Sequence, residues 1–169
     1  MYIVKLILLI IVFCTSTIIG FLISKKYTNR LQILKDLKNA LNIFEIKVNF
    51  SCDTISETFE EISEKIKGTT GKIFSDTVKN LNNMMPSEAW EDALQRNSEN
   101  LKQEDINSLK PLGKLLGRTD IEGQINQIKL VSEFVEQQIV DAVDEKNKNE
   151  KMYKKLGAIV GLVIVIVLV

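Results

Sequence analysis

The sequence predicts an all-α protein: a compact bundle of about six helices flanked by N- and C-terminal transmembrane helices. Three observations carry that prediction. Apolar residues in the middle of the chain recur at intervals of three and four and never alternate at period two. The connections between these periodic stretches are only a few residues long, so neighbouring helices pack antiparallel. Both ends of the 169-residue chain are apolar runs.

Met1–Ile23 is apolar apart from Lys5 and a few small hydroxyls. Its uncharged part, Leu6–Ile23, rises about 27 Å as a helix, close to the roughly 30 Å hydrocarbon core of a bilayer. A cleaved signal peptide fits poorly. Lys5 alone precedes the apolar core, Lys25, Lys26 and Arg30 follow it, and no A-x-A cleavage pattern is present. Cys14 follows the bulky Phe13, where a lipoprotein signal needs a small residue, so it reads as a lone thiol in lipid. The C-terminal run Leu156–Val169 rises only about 21 Å. Met152, Tyr153 and the snorkelling Lys154 and Lys155 lengthen it. Segments 1–24 and 156–169 are therefore expected to be transmembrane helices, with a bundle over 25–155.

Lys25, Lys26 and Arg30 border the first run, and Lys146, Lys148, Lys151, Lys154 and Lys155 border the second. Both clusters belong to the middle region, so the positive-inside rule places residues 25–155 in the cytoplasm and both chain ends on the far side. The abrupt apolar ending follows from that placement.

The first helix is expected to run on without a break to about Asn49, because Tyr27, Leu31, Leu34, Leu37, Leu41, Phe44 and Val48 continue it with no Gly or Pro between. Thr54 and Glu57 have capping-box spacing and open a second helix with Ile55, Phe59, Ile62 and Ile66 on one face. Gly68 and Gly71 separate it from a third, with Phe74, Val78, Leu81 and Met85. Pro86 stops that helix, and Ser87 is positioned to cap a fourth built on Trp90, Ala93 and Leu94. A fifth spans about Gln103 to Leu116, with Ile106, Leu109, Leu112 and Leu116 inward. Pro111 inside it predicts a kink or a late start, and Gly117 a left-handed stop. Thr119 and Glu122 form another capping box for a long sixth helix with Ile121, Ile125, Ile128, Val131, Val135, Ile139 and Ala142 inward.

The middle region holds all 22 acidic residues and every basic residue but Lys5, so it offers no electrostatic case for nucleic acid. The chain has no histidine, which removes the usual general base, the Ser/His and Cys/His pairs and the Glu-x-x-His di-iron motif. No catalytic residue, cofactor or metal is expected. Gly68-Thr-Thr-Gly-Lys72 mimics a phosphate loop, but its glycines are too close together and Ile73 follows the lysine, so it reads as a turn between helices.

Two surfaces invite a functional reading. Glu57, Glu60, Glu61 and Glu64 line one face of the second helix, which is either a solvated face or a docking patch for a basic partner. Gly157-x-x-x-Gly161 is a close-approach motif, and Ser16, Gly20 and Ser24 make a similar seam in the first run. The two seams are expected to face each other or partner spans. They read otherwise as ordinary glycine usage in membrane helices.

Leu116-Gly117-Arg118-Thr119-Asp120, the run Asn149-Glu150-Lys151-Met152-Tyr153, Lys155-Leu156-Gly157 and the Gly20-Phe21 close of the first span occur in an order and spacing that resembles the stage III sporulation protein AB family of endospore-forming bacteria. The resemblance covers the whole chain. It implies a scaffold in the assembly that links mother cell and forespore, placed in the mother-cell membrane around the forespore. It also implies a helical domain similar to the cytoplasmic domains of type II secretion and type IV pilus platform proteins. The implied partners are a secretion-type ATPase, stage III sporulation protein AA, other channel subunits in the membrane, and the lipid bilayer. On this reading Arg118, Asp120, Asn149, Glu150 and Lys151 are the expected partner contacts. Arg118 and Asp120 serve alternatively as an ion pair bracing their turn. Two departures from the family pattern fall on the fifth helix: Lys102 replaces a small hydroxyl before it, and Pro111 interrupts it. A membrane-tethered signalling or assembly module of a secretion-like system is the alternative function.

Overall fold

The computed structural model describes residues 2–51, 53–116 and 121–168. These residues form six α-helices and no strand. They are α1 (Tyr2–Phe50), α2 (Ile55–Lys65), α3 (Gly68–Asn80), α4 (Pro86–Arg96), α5 (Gln103–Gly113) and α6 (Ile121–Leu168). The chain divides into two compact units. Unit 1 takes Met1–Leu31 and Asp141–Val169, and unit 2 takes Gln32–Val140. The two longest helices contribute to both. The spacing predicts α1 to be unbroken, and it is.

Unit 2 is built on aromatic side chains from four successive helices. Phe44 of α1, Phe59 of α2, Phe74 of α3 and Trp90 of α4 are all buried. Phe59 lies at the centre, with ring centroids 5.2 Å from Phe44, 4.8 Å from Phe74 and 5.9 Å from Trp90. The first two contacts are edge-to-face, the arrangement that aromatic quadrupoles favour. The indole N–H of Trp90 donates to the carbonyl of Leu109 at 2.9 Å, which ties α4 to α5 without leaving a buried donor unpaired. Ile128, Val131 and Val135 of α6 complete the core with Leu34, Leu37 and Leu41 of α1. Lys38 bridges these two helices, pairing with Glu136 at 3.1 Å and donating to the carbonyl of Ser132.

The capping box of α2 forms as its spacing predicts: the Thr54 N–H donates to Glu57 at 2.8 Å and the Glu57 N–H to the Thr54 hydroxyl at 3.2 Å. Gly68 opens α3 with φ of +79°, the left-handed conformation that L side chains avoid.

Several boundaries differ from the sequence expectation. α3 ends at Asn80, and Met85 is exposed rather than packed under it. Met85, not Ser87, is the N-cap of α4. Pro86 starts that helix, because a fixed φ and a missing N–H suit the first helical position. α5 contains Pro111 without starting late, but it ends at Gly113 rather than Leu116. There the chain tightens, with Lys114 N–H bonding to Pro111 and Leu115 N–H to Leu112. Lys102 offers no acceptor at the start of α5. Asp105 compensates by reaching back to the Lys102 N–H at 2.8 Å. Ile121, expected inward, is exposed at the start of α6. The predicted stop at Gly117 and cap at Thr119 lie outside the described residues.

The acidic face of α2 is partly engaged. Glu57 is held in its cap, and Glu61 pairs with both Lys47 and Lys65. Hydrogen bonds from Lys47 and then Lys65 hold the Glu61 carboxyl down at about 2, against 4.5 in an unstructured chain. A depressed carboxylate adds stability above its unfolded pKa and loses it as the proton binds. The melting temperature should therefore fall as pH drops from about 4.5 towards 2, and Glu61→Gln should flatten that slope in melts followed at 222 nm. Phe59→Ala should cost about 3–5 kcal/mol, read from urea unfolding of the full chain in micelles by the fluorescence of its single tryptophan, Trp90.

Candidate functional site

Unit 1 is a pair of helix segments running antiparallel. Contacts step back along α6 as they step forward along α1: Ser16 with Gly161, Gly20 with Gly157, Tyr27 with Tyr153, and Arg30 with Glu145. Small residues let the backbones approach. A Cβ on Gly20 would lie 2.7 Å from the Tyr153 carbonyl oxygen and 2.8 Å from the Gly157 Cα. One on Gly157 would lie 2.9 Å from both the Gly20 Cα and the Ser16 carbonyl oxygen. A Cβ on Gly161 would press on Phe13 and Ser16, each at 3.1 Å. The Ser16 hydroxyl donates across the seam to the Gly157 carbonyl at 2.8 Å. Ser24 is buried on the same line and turns its hydroxyl back to Phe21.

Beyond the glycines the seam becomes polar. Tyr27 and Tyr153 stack with centroids 5.9 Å apart. Burial, and then a hydrogen bond with Tyr153, push the Tyr27 hydroxyl above its ordinary pKa. Arg30, only 4% exposed, bonds Glu145 at 2.9 Å. Glu150 receives Lys154 at 2.7 Å, lies 3.9 Å from Lys146 and accepts from Thr28 at 3.4 Å. The hydrogen bond from Lys154 leads the lowering of its pKa. Lys154 also lies over the Phe21 ring, 5.7 Å from its centroid.

Along the apolar runs, the surface of unit 1 away from the seam is hydrocarbon. α1 is long and apolar enough to cross a membrane, and its apolar stretch is almost entirely unburied. Leu156, Ile159, Val160, Leu162, Val163 and Ile166 are exposed on α6. A groove of about 490 Å³ opens along the seam, lined among others by Val12, Ile19, Ile23, Leu156, Val160 and Ile164. Its walls bring hydrocarbon and backbone together and offer no acid–base pair. Among the described residues no cluster of three or more His, Cys, Asp or Glu side chains could hold a metal ion.

The family described as stage III sporulation protein AB matches residues 5–169. The chain belongs to that family. It is 29% identical to stage III sporulation protein AB of Bacillus subtilis (strain 168) over 168 residues, which is 97% of this chain and 98% of the relative. A solved structure of stage III sporulation protein AB superposes with a TM-score of 0.64 at 23% identity. It covers 70% of this chain and 96% of that one, a likeness of fold.

Of the residues singled out from the sequence, Ser16, Gly20, Gly157 and Gly161 meet in the seam of unit 1. Asn149 and Glu150 are half-buried and Lys151 is exposed on the same unit. Arg118 and Asp120 lie outside the described residues. Sequence reading missed the Arg30–Glu145 and Tyr27–Tyr153 pairs. The signal was available: once Gly20 is set against Gly157, an antiparallel register brings both pairs together.

Gly20→Leu should force the segments apart, since backbone rather than flexible side chain fills the space. In a Cys14→Ser, Cys52→Ser background, oxidative crosslinking between Ser16→Cys and Gly161→Cys should be efficient and should largely disappear when Gly20→Leu is added.

Proposed function

We propose that this sporulation-family protein is a membrane-anchored scaffold of the mother cell–forespore channel complex that docks a secretion-type ATPase, stage III sporulation protein AA. The observation that carries the reading is the contrast between the two units. Unit 1 exposes hydrocarbon around a seam of small residues, the composition of packed helices in lipid. Unit 2 buries its hydrocarbon around four aromatic rings and exposes charge, the composition of a domain in water.

Both helices of unit 1 cross the bilayer on this reading. The apolar part of α6 is the shorter, and Lys154 and Lys155 snorkel at its edge. The lysines flanking both spans keep residues 25–155 in the cytoplasm, in the mother-cell membrane around the forespore. The chain itself carries out no catalysis, and the ATPase supplies the energy. Arg118, Asp120 and the run Asn149, Glu150 and Lys151 are the proposed partner contacts.

The test is co-isolation from detergent-solubilised membranes of cells expressing the tagged full chain and the ATPase. The chain should resist alkaline extraction and retain the ATPase. Arg118→Ala with Asp120→Ala should reduce capture severalfold while leaving the helical signal intact. Retention in the membrane without capture by the unmodified chain would refute ATPase docking. Release by alkali would refute the anchor.

A further inference from the structure

We infer that unit 1 carries a binding collar for the headgroup phosphates of anionic phospholipids, formed by Lys25, Lys26, Lys148, Lys151 and Lys155. The inference rests on the membrane placement proposed above, and it assigns Lys151 to lipid rather than to the ATPase.

The charge of the collar is unspent. All five side chains are exposed, and none has an ion-pair partner among the described residues. The acidic groups that share this stretch are occupied: Glu145 is engaged by Arg30, and Glu150 by Lys154, Lys146 and Thr28. Asp141 and Asp144 are exposed, but they lie on the far side of Lys148 from the apolar run. The internal pairs therefore take up the two nearest carboxylates and leave five ammonium groups facing outward.

The position of the collar is equally specific. Tyr27 stacks on Tyr153, so the antiparallel register sets Lys25 and Lys26 level with the lysines of α6. Lys148, Lys151 and Lys155 follow one another at i, i+3 and i+7 on one face. They span about 10 Å along the axis, comparable to the headgroup layer plus the reach of a lysine. Exposed hydrocarbon begins at once on the apolar side, with Leu22 and Ile23 on α1 and Leu156 and Ile159 on α6. The stacked tyrosines occupy the level where amphipathic rings sit at a membrane boundary.

The chemistry selects charge rather than headgroup shape. An ammonium group is a compact point charge with three donors and lacks the planar fork that reads one geometry. Basic clusters beside a span attract anionic lipid in proportion to their number. The collar should therefore favour phosphatidylglycerol and phosphatidylserine alike over phosphatidylcholine.

The experiment uses the full chain in phosphatidylcholine bilayers with trace spin-labelled lipid, reading the fraction held motionally restricted at the protein. Labelled phosphatidylglycerol should be restricted severalfold more than labelled phosphatidylcholine, and the excess should shrink in high salt. Replacing the five lysines with glutamine should abolish the excess. Lys35→Gln, Lys67→Gln, Lys72→Gln and Lys114→Gln in unit 2 should preserve it. Equal restriction of the two lipids, or an excess that survives the five substitutions, overturns the collar but leaves the membrane anchor standing. Displacement of the anionic lipid by millimolar glycerol phosphate overturns it in favour of a soluble phosphate ligand. Absence of any restricted lipid overturns collar and anchor together.

Discussion

The approach of Gly20 to Gly157 is the constraint from which unit 1 follows. In hydrocarbon, where the proposed anchor places this pair, two apolar helices gain nothing from hiding from the solvent, so close packing and shared hydrogen bonds must hold them together. A side chain at either position would have nowhere to go, because peptide backbone already occupies the space its Cβ would take. The contact also sets the register. With these glycines opposed, the Ser16 hydroxyl reaches the Gly157 carbonyl, and Tyr27 and Arg30 meet Tyr153 and Glu145.

Unit 2 solves the opposite problem. Its helices are short apart from α1 and α6, and short helices owe their stability to tertiary burial. Phe59 supplies a common partner for rings from α1, α3 and α4. Its α2 depends on local chemistry as well: a capping box at one end and Glu61 held between Lys47 and Lys65 along its side. Burial is non-directional, so the specific arrangement of these helices comes from bonds such as Trp90 to Leu109 and Lys38 to Ser132.

Most of the helical order was legible in the sequence, because apolar periodicity reports the buried face directly. Phe44, Phe59, Phe74 and Trp90 all stand on stripes visible without coordinates. The helix ends were less legible. Ser87 has the right chemistry for a cap, but Pro86 has a stronger claim on the adjacent backbone, and the helix starts two residues earlier than the serine would place it. Pro111 shows the converse. Its disruption is absorbed by tightening the chain just beyond it, a response that depends on Lys114 and Leu115 finding carbonyls in the previous turn. Within the seam the small residues were visible one by one, whereas Arg30 looked like one more flanking positive charge. Its burial becomes evident only when Glu145 is known to lie opposite.

That distinction among the basic residues gives the proposed membrane boundary its logic. Arg30 is consumed inside the helix pair, where a planar, permanently charged group can be buried against a carboxylate. Lys146 and Lys154 bracket Glu150 one turn away on either side. The positive-inside rule treats all of these charges alike, since it concerns which side of the bilayer a segment occupies. The folded unit separates them. Charges turned inward fix how the two helices meet, and only the lysines left over remain available to whatever surrounds them. Within a few residues, the same type of side chain therefore sets the internal register of unit 1 and, on the proposed reading, supplies its outward attraction for anionic lipid.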